Sequence, residues 1–188
     1  MPELSRASAE DVETRAAPVT VPQVSNGQLP LHFAALSILT LGLYELYWFW
    51  RNWRDLHRTL GMELQPFWRT LGLLLPIVNV VLVYDQLRMI REACSAHGIV
   101  PSYQPGLVTA TFFAMAIAGN LTMFWPLSLL NVVPLLQVQV ALNHLWEHVQ
   151  PGAAVRVRFL RQEILAMVVG LIMTAAAVFE TFGSMVLK

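Results

Sequence analysis

Lysine and cysteine are almost missing from this chain of 188 residues. Lys188 is the sole lysine, so eleven of the twelve basic residues are arginine, and Cys94 is the sole cysteine. One thiol excludes an internal disulfide and gives no guide to the redox compartment. Charge is scarce as well: 13% of residues are charged and 56% are hydrophobic, whereas a soluble domain has about 25% charged residues. That balance excludes a disordered chain and argues against a soluble globular one. Twelve acids offset twelve bases, which removes the positive field a nucleic-acid partner requires. A Gly-rich phosphate loop, a Ser/His/Asp arrangement and a catalytic carboxylate pair are all absent from the sequence. The chain is therefore read as non-enzymatic, with no cofactor, and as an integral membrane protein.

Residues 1–30 have no periodic apolar face and are expected to form a disordered tail, leaving 31–188 as a helical membrane domain. No basic region precedes a short apolar run near residue 1, so the first hydrophobic segment is expected to stay in the mature protein. That segment, His32 to Trp50, is long enough for a first span, and its helix is expected to run on to a stop at Gly61. Thr70 to Tyr84 is too short and carries Pro76 and Asn79, which favours a re-entrant or interfacial segment over a crossing. An amphipathic stretch follows, with Leu87, Ile90 and Cys94 on one face, ending at Gly98. Gly106 to Leu142 has no formal charge and reads as two spans, about 107–124 and 126–142, and Ile164 to Phe182 reads as the last. Small residues recur every four positions at Ala110, Ala114 and Ala118, and at Ala166, Gly170 and Thr174, as on helices that approach closely in a bilayer.

The fold expected is thus all-α: four transmembrane helices plus a re-entrant or interfacial helix, with five transmembrane helices as the alternative. Arginine counts separate the two. With four spans, the segments 51–69, 85–105 and 143–163 share one side and carry nine arginines, against Arg6, Arg15 and Lys188 on the other. Five spans give seven against five. The first distribution follows the positive-inside rule and implies a multi-pass inner-membrane protein with its N-terminus outside.

Several residues are singled out by their chemistry. Tyr44, Tyr47, Trp48, Trp50, Arg51, Trp53, Arg54 and Arg58, with Trp68 and Arg69 beyond, read as an aromatic and basic belt at the lipid interface, suited to anionic headgroups. Gln139, Asn143 and Glu147 are spaced by four and, with Glu45 and Asn79, outline a polar cavity. His144 to His148 spells H-x-x-E-H, which places His144 and His148 on one helical face beside Glu147. A catalytic zinc needs a third protein ligand that the sequence does not offer, so metal is expected to be absent.

The run Thr40-Leu41-Gly42-Leu43-Tyr44-Glu45-Leu46-Tyr47-Trp48-Phe49-Trp50-Arg51, followed by Pro66-Phe67-Trp68-Arg69, resembles an uncharacterised family of small bacterial integral-membrane proteins. That family is a domain of unknown function marked by a T-L-G-[IL]-Y-x-x-Y-W element. Ser102 to Gly106, Pro134 to Gln139 and Asn143 extend the resemblance over most of residues 31–182. It implies a membrane location and carries no activity, ligand or catalytic residue. The function expected is a packing, assembly or lipid-interacting component whose partners are the bilayer, anionic lipids and other membrane proteins. A small transporter or channel subunit is the alternative, and a metalloprotein using His144 and His148 is a third reading.

Overall fold

The stretch from His32 to Trp50, expected as one continuous span, is broken in two. In the computed structural model, which describes residues 24–119, 129–156 and 161–186, helix α1 (Pro30–Leu39) stops and α2 (Leu43–Leu60) folds back against it. The break is a Schellman turn: Leu41 N–H donates to Ile38 O at 3.2 Å and Gly42 N–H to Ser37 O at 2.8 Å. Both Leu41 (φ 53°) and Gly42 (φ 85°) are left-handed, and only the glycine adopts that conformation without steric cost. Thr40 ties the two helices together, its Oγ1 donating to Leu36 O at 2.8 Å and accepting from Tyr44 N–H at 2.9 Å. Phe33 stacks on Trp48 at 5.0 Å and meets Tyr44 at 6.2 Å, so α1 lies back along α2.

The next pair repeats the device. Helix α3 (Pro66–Gly72) and helix α4 (Pro76–Ala96) are joined by a turn at Leu73–Leu75. Pro76 opens α4 rather than interrupting a helix, the position where its fixed φ and missing N–H cost least. Arg69 and Asp85 clasp the two helices at 2.7 Å. Residues 66–84, singled out in the sequence as too short to cross, therefore belong to a helical hairpin. Helix α5 (Pro105–Gly119) and helix α6 (Val132–Val149) follow, then α7 (Arg161–Val186).

The fold is mostly helical, consistent with the all-α class expected, with one small pair of strands added. Residues 24–28, assigned to the tail by composition, form strand β1 (Val24–Gln28), which pairs in parallel with β2 (Ala154–Arg156). The rest of the tail, 1–23, lies outside the described residues.

The hairpins open toward the same end of the molecule. At that end Asn26 bonds both Thr59 and Gln150, His97 meets His148 with ring centroids 5.8 Å apart, and Arg91 donates to Tyr103 O. The start of β1 therefore lies beside the C-terminal ends of α2 and α6, whose flanking segments the arginine count sets on the side opposite the tail. The four-span arrangement also finds no support in helix length. Among the described residues one helix, Leu129–Val149, is long and apolar enough to cross a bilayer. At about 1.5 Å per residue, α1 and α3 reach only about 15 and 10 Å.

The core joins Phe33, Trp48, Trp53, Leu87, Leu135 and Leu142 between α1, α2, α4 and α6. Outside it, large apolar side chains face outward: Leu74, Leu75, Ile77 and Val81 at the second hairpin tip, Leu107 and Ile117 on α5, and Leu165, Leu171, Ile172 and Phe179 on α7. Ala110 and Ala114 are exposed too, so this part of the small-residue face of α5 is left uncovered among the described residues. The face of α7 behaves differently. Gly170 meets the α1–α2 turn so closely that a Cβ would overlap Leu39 O and fall 2.6 Å from Thr40 Cα.

Candidate functional site

A buried polar network gathers around Gln28, at the end of β1. Gln28 N–H donates to Asn143 Oδ1 at 3.0 Å, and its carbonyl accepts from Asn143 Nδ2 at 2.9 Å and Gln139 Nε2 at 3.1 Å. Asn143 thus treats the main chain of Gln28 as a neighbouring strand would, with one donor and one acceptor. The Gln28 side chain is fully buried; its Oε1 accepts from Arg51 Nη1 at 3.0 Å and its Nε2 donates to the Tyr44 hydroxyl at 2.9 Å. Tyr44 also faces Glu163 Oε1 at 3.4 Å, and Glu163 Oε2 lies 3.6 Å from His32 Nε2. Trp48 Nε1 donates to Gln139 Oε1 at 2.6 Å.

Arg51 is 4% exposed and anchors the outer side of this network. Its Nη2 donates to Asn26 O at 2.9 Å, and its Nε lies 3.7 Å from Asp55 Oδ2. A buried guanidinium is tolerated only when its donors find acceptors, and here three residues supply them, Asn26 and Gln28 on β1 and Asp55 on α2.

The sequence-derived cavity resolves into separate parts. Gln139 is buried, Asn143 half-buried and Glu147 exposed, so the stripe runs outward from the core, and its inner two members hold β1 instead of lining a void. Glu45 lies away from them at the α1–α2 turn, where Oε2 accepts from Asn131 Nδ2 at 3.3 Å and Oε1 is buried with no partner among the described residues. Its place in the first turn of α2 sets the carboxylate beside the positive end of the helix dipole. Asn79 sits on α4, and among the described residues no hydrogen bond links it to the Gln28 network.

The expected interfacial belt is divided as well. Tyr44, Trp48, Arg51 and Trp53 are buried within the protein, which removes them from any headgroup contact. Tyr47, Trp50 and Arg54 are half-buried, with Arg54 stacked on Trp50 at 4.8 Å, and Arg58 is exposed. Trp68 is 66% exposed and Arg69 is half-buried, so the outward-facing members of the belt are Arg58 on α2 and Trp68 on α3.

His144 and His148 share the exposed face of α6 with Glu147, and Ile99 closes a shallow pocket beside them. No group of three His, Cys, Asp or Glu among the described residues is placed to hold a metal ion. Cys94 is buried against Ala141 O at 3.7 Å, and loss of solvation pushes its thiol up to about 11. A thiol held protonated at neutral pH is a poor nucleophile.

Sequence reasoning missed Gln28 and the burial of Arg51. Val24-Ser25-Asn26-Gly27-Gln28 has no strand periodicity, and its partner Asn143 is 115 positions away. The signal that could have found them was a stripe of amides on an otherwise apolar helix, since buried amides need partners. Comparison of the chain with protein-family models, with curated proteins and with solved structures finds no match.

Proposed function

We propose that this chain is an integral membrane protein whose helical hairpins enter the bilayer from one side, and that it serves as a non-enzymatic packing or assembly component. The observation that carries the reading is its inverted polarity. Arg51, Gln28 and Gln139 are inside, while Ile77 (84% exposed) and Phe179 (82% exposed) face outward with the leucines and valines of the α3–α4 tip and α7. In water such a surface would be costly and would associate; in hydrocarbon it is at rest.

Two short hairpins, α1–α2 and α3–α4, dip into the membrane and return, α5 and α6 form a spanning pair, and α7 crosses once. Charge is then distributed more unevenly than with four spans. The reading assigns the arginines before β1 and those in 51–69, 88–91 and 156–161 to one side of the membrane, and Lys188 alone to the other. Eleven against one is a stronger positive-inside asymmetry than nine against three, and it puts the N-terminal side of β1 in the cytoplasm. The reading agrees with the bacterial membrane family that the Thr40 to Arg51 element resembles.

Alkaline carbonate leaves such a chain in the membrane pellet. With Cys94 replaced by serine, Thr20→Cys and Glu63→Cys are expected to react with an impermeant maleimide from the same side, and Lys188→Cys from the other. Release by carbonate, or labelling of positions 20 and 63 from opposite sides, overturns the reading.

The assembly role is supported by the smooth exposed face at Ala110 and Ala114, where a second membrane helix can approach closely. Ala114→Phe is expected to shift the detergent-solubilised protein to a smaller species on a native gel without changing its melting temperature. Unchanged migration counts against assembly through α5. A transport subunit, the alternative motivated by the Gln139, Asn143 and Glu147 stripe and the broken segment around Pro76, is less favoured because β1 takes up Gln139 and Asn143.

A further inference from the structure

We infer that the cleft between the 61–65 loop, α3 and α4 binds a phospholipid whose headgroup carries both a phosphate and a free ammonium, with an acyl chain lying along α4. The inference rests on the membrane reading above and adds a ligand to it. The cleft encloses about 450 Å3, within the range of small-molecule sites. Its polar wall is Glu63, Gln65 and Arg69; its apolar wall is Trp68, Val78 and Leu82. The two walls meet where the chain passes from the arginine-bearing end to the exposed tip at Leu74, Leu75 and Ile77. A molecule with a polar head and an apolar tail is the ligand whose two halves match them.

Gly72 keeps the cleft open between the helices. A Cβ there would fall 2.6 Å from Leu82 Cδ1 and 3.3 Å from Val78 Cγ1. Arg69 is fixed in place by its neighbours, with Nη1 donating to Asp85 Oδ2 at 2.7 Å and the guanidinium lying over Trp53 at 5.9 Å. Asp85 is itself fixed by Arg88 at 3.2 Å. The remaining guanidinium N–H groups of Arg69 have no acceptor among the described residues, and a planar fork of donors is the natural partner of a phosphate.

Charge selects the headgroup. Glu63 makes no ion pair among the described residues and stands in the same wall as Arg69. A purely anionic headgroup would meet its carboxylate unfavourably. A trimethylated one has no N–H to offer Glu63 or the Gln65 amide. A primary ammonium has three donors, which leaves the phosphoethanolamine class.

The test uses the full chain in mild detergent, incubated with equal concentrations of short-chain phosphatidylethanolamine, phosphatidylglycerol and phosphatidylcholine, with retained lipid counted by native mass spectrometry. One phosphatidylethanolamine is expected to be retained, with about tenfold preference over each of the others. Glu63→Gln, an exposed change, is expected to abolish the preference over phosphatidylglycerol, and Arg69→Gln to abolish retention of both. Equal retention of the three lipids, or a preference unchanged in Glu63→Gln, overturns the site. Displacement of the lipid by soluble phosphoethanolamine at equal concentration overturns the acyl contact. A carbonate-resistant chain with no lipid preference overturns this site alone, whereas release by carbonate overturns the membrane reading beneath it.

Discussion

Replacing Gly170 with leucine is expected to detach α7 from the rest of the molecule. The added Cβ would meet Leu39 O and the Cα of Thr40, backbone atoms that cannot swing aside as a side chain can. Overpacking against flexible neighbours costs about 1–3 kcal/mol; against a turn fixed by the Leu41 and Gly42 hydrogen bonds it should exceed about 3 kcal/mol, since backbone must shift. The same movement pulls Glu163 away from His32 and Tyr44, because both contacts lie on the first turns of α7. The measurement is thermal unfolding in detergent together with hydrogen exchange over residues 36–40, which should lose protection in Gly170→Leu. Gly170→Ala should show the same defect to a lesser degree. Val169→Leu, on an exposed position of the same turn, should be neutral. Equal melting temperatures for Gly170→Leu and Val169→Leu would show that α7 does not bear on the α1–α2 turn.

Arg51→Met is expected to release β1 while leaving the helices in place. Methionine preserves much of the side chain's length and apolar stem, so the change isolates the guanidinium. Its loss strips one acceptor contact from Gln28 Oε1, leaves Asn26 O without its 2.9 Å donor, and weakens the neutralisation of buried Asp55. Removing one member of a buried charge pair costs about 3–5 kcal/mol. Arg54 still holds Asp55 Oδ1 at 2.9 Å, which puts the effect at the low end, about 3 kcal/mol. Applied to local opening, that raises hydrogen exchange at residues 24–28 about a hundredfold while α4 and α6 keep their protection. Arg51→Lys should fall between, because an ammonium cannot reproduce the fork that reaches Gln28 and Asn26 together. Unchanged exchange in β1 would sink the idea that Arg51 anchors it.

Much of the helical layout was legible because its signals are local. Gly61 caps α2 at φ 67°, and Gly98 ends the α4 turn at φ 73°, where the sequence places both stops. Trp53, Leu56 and Leu60, apolar residues at i, i+3 and i+7, form an apolar stripe on the inward face of α2, with the first two fully buried. The apolar run at 70–84 was too short to cross, and it forms part of a hairpin. What was not legible depends on distant partners. Tyr44 and Trp48 have the composition of an interfacial belt; Phe33 covers them because α1 folds back through Leu41 and Gly42, a reversal that an uninterrupted apolar run does not advertise. Arg51 and Asp55 sit outside the apolar stripe and look solvated until β1 is placed over them. The candidate polar stripe was recognised by its spacing, but its occupant was a strand with no strand pattern.

The parallel pairing of β1 with β2 orders the birth of the protein. β1 is among the first described segments to be synthesised, yet the amides that receive Gln28 lie on α6 and its paired strand follows α6. Through the production of both hairpins, the main-chain N–H and carbonyl of Gln28 must wait for Asn143 and Gln139, which do not yet exist, whereas Arg51 already has Asn26, Gln28 and Asp55. Closure of so long a loop is slow compared with forming the hairpins themselves. The nascent chain therefore passes through a stage with its helices assembled and its polar centre still hydrated, and the arrival of residues 139–156 seals it.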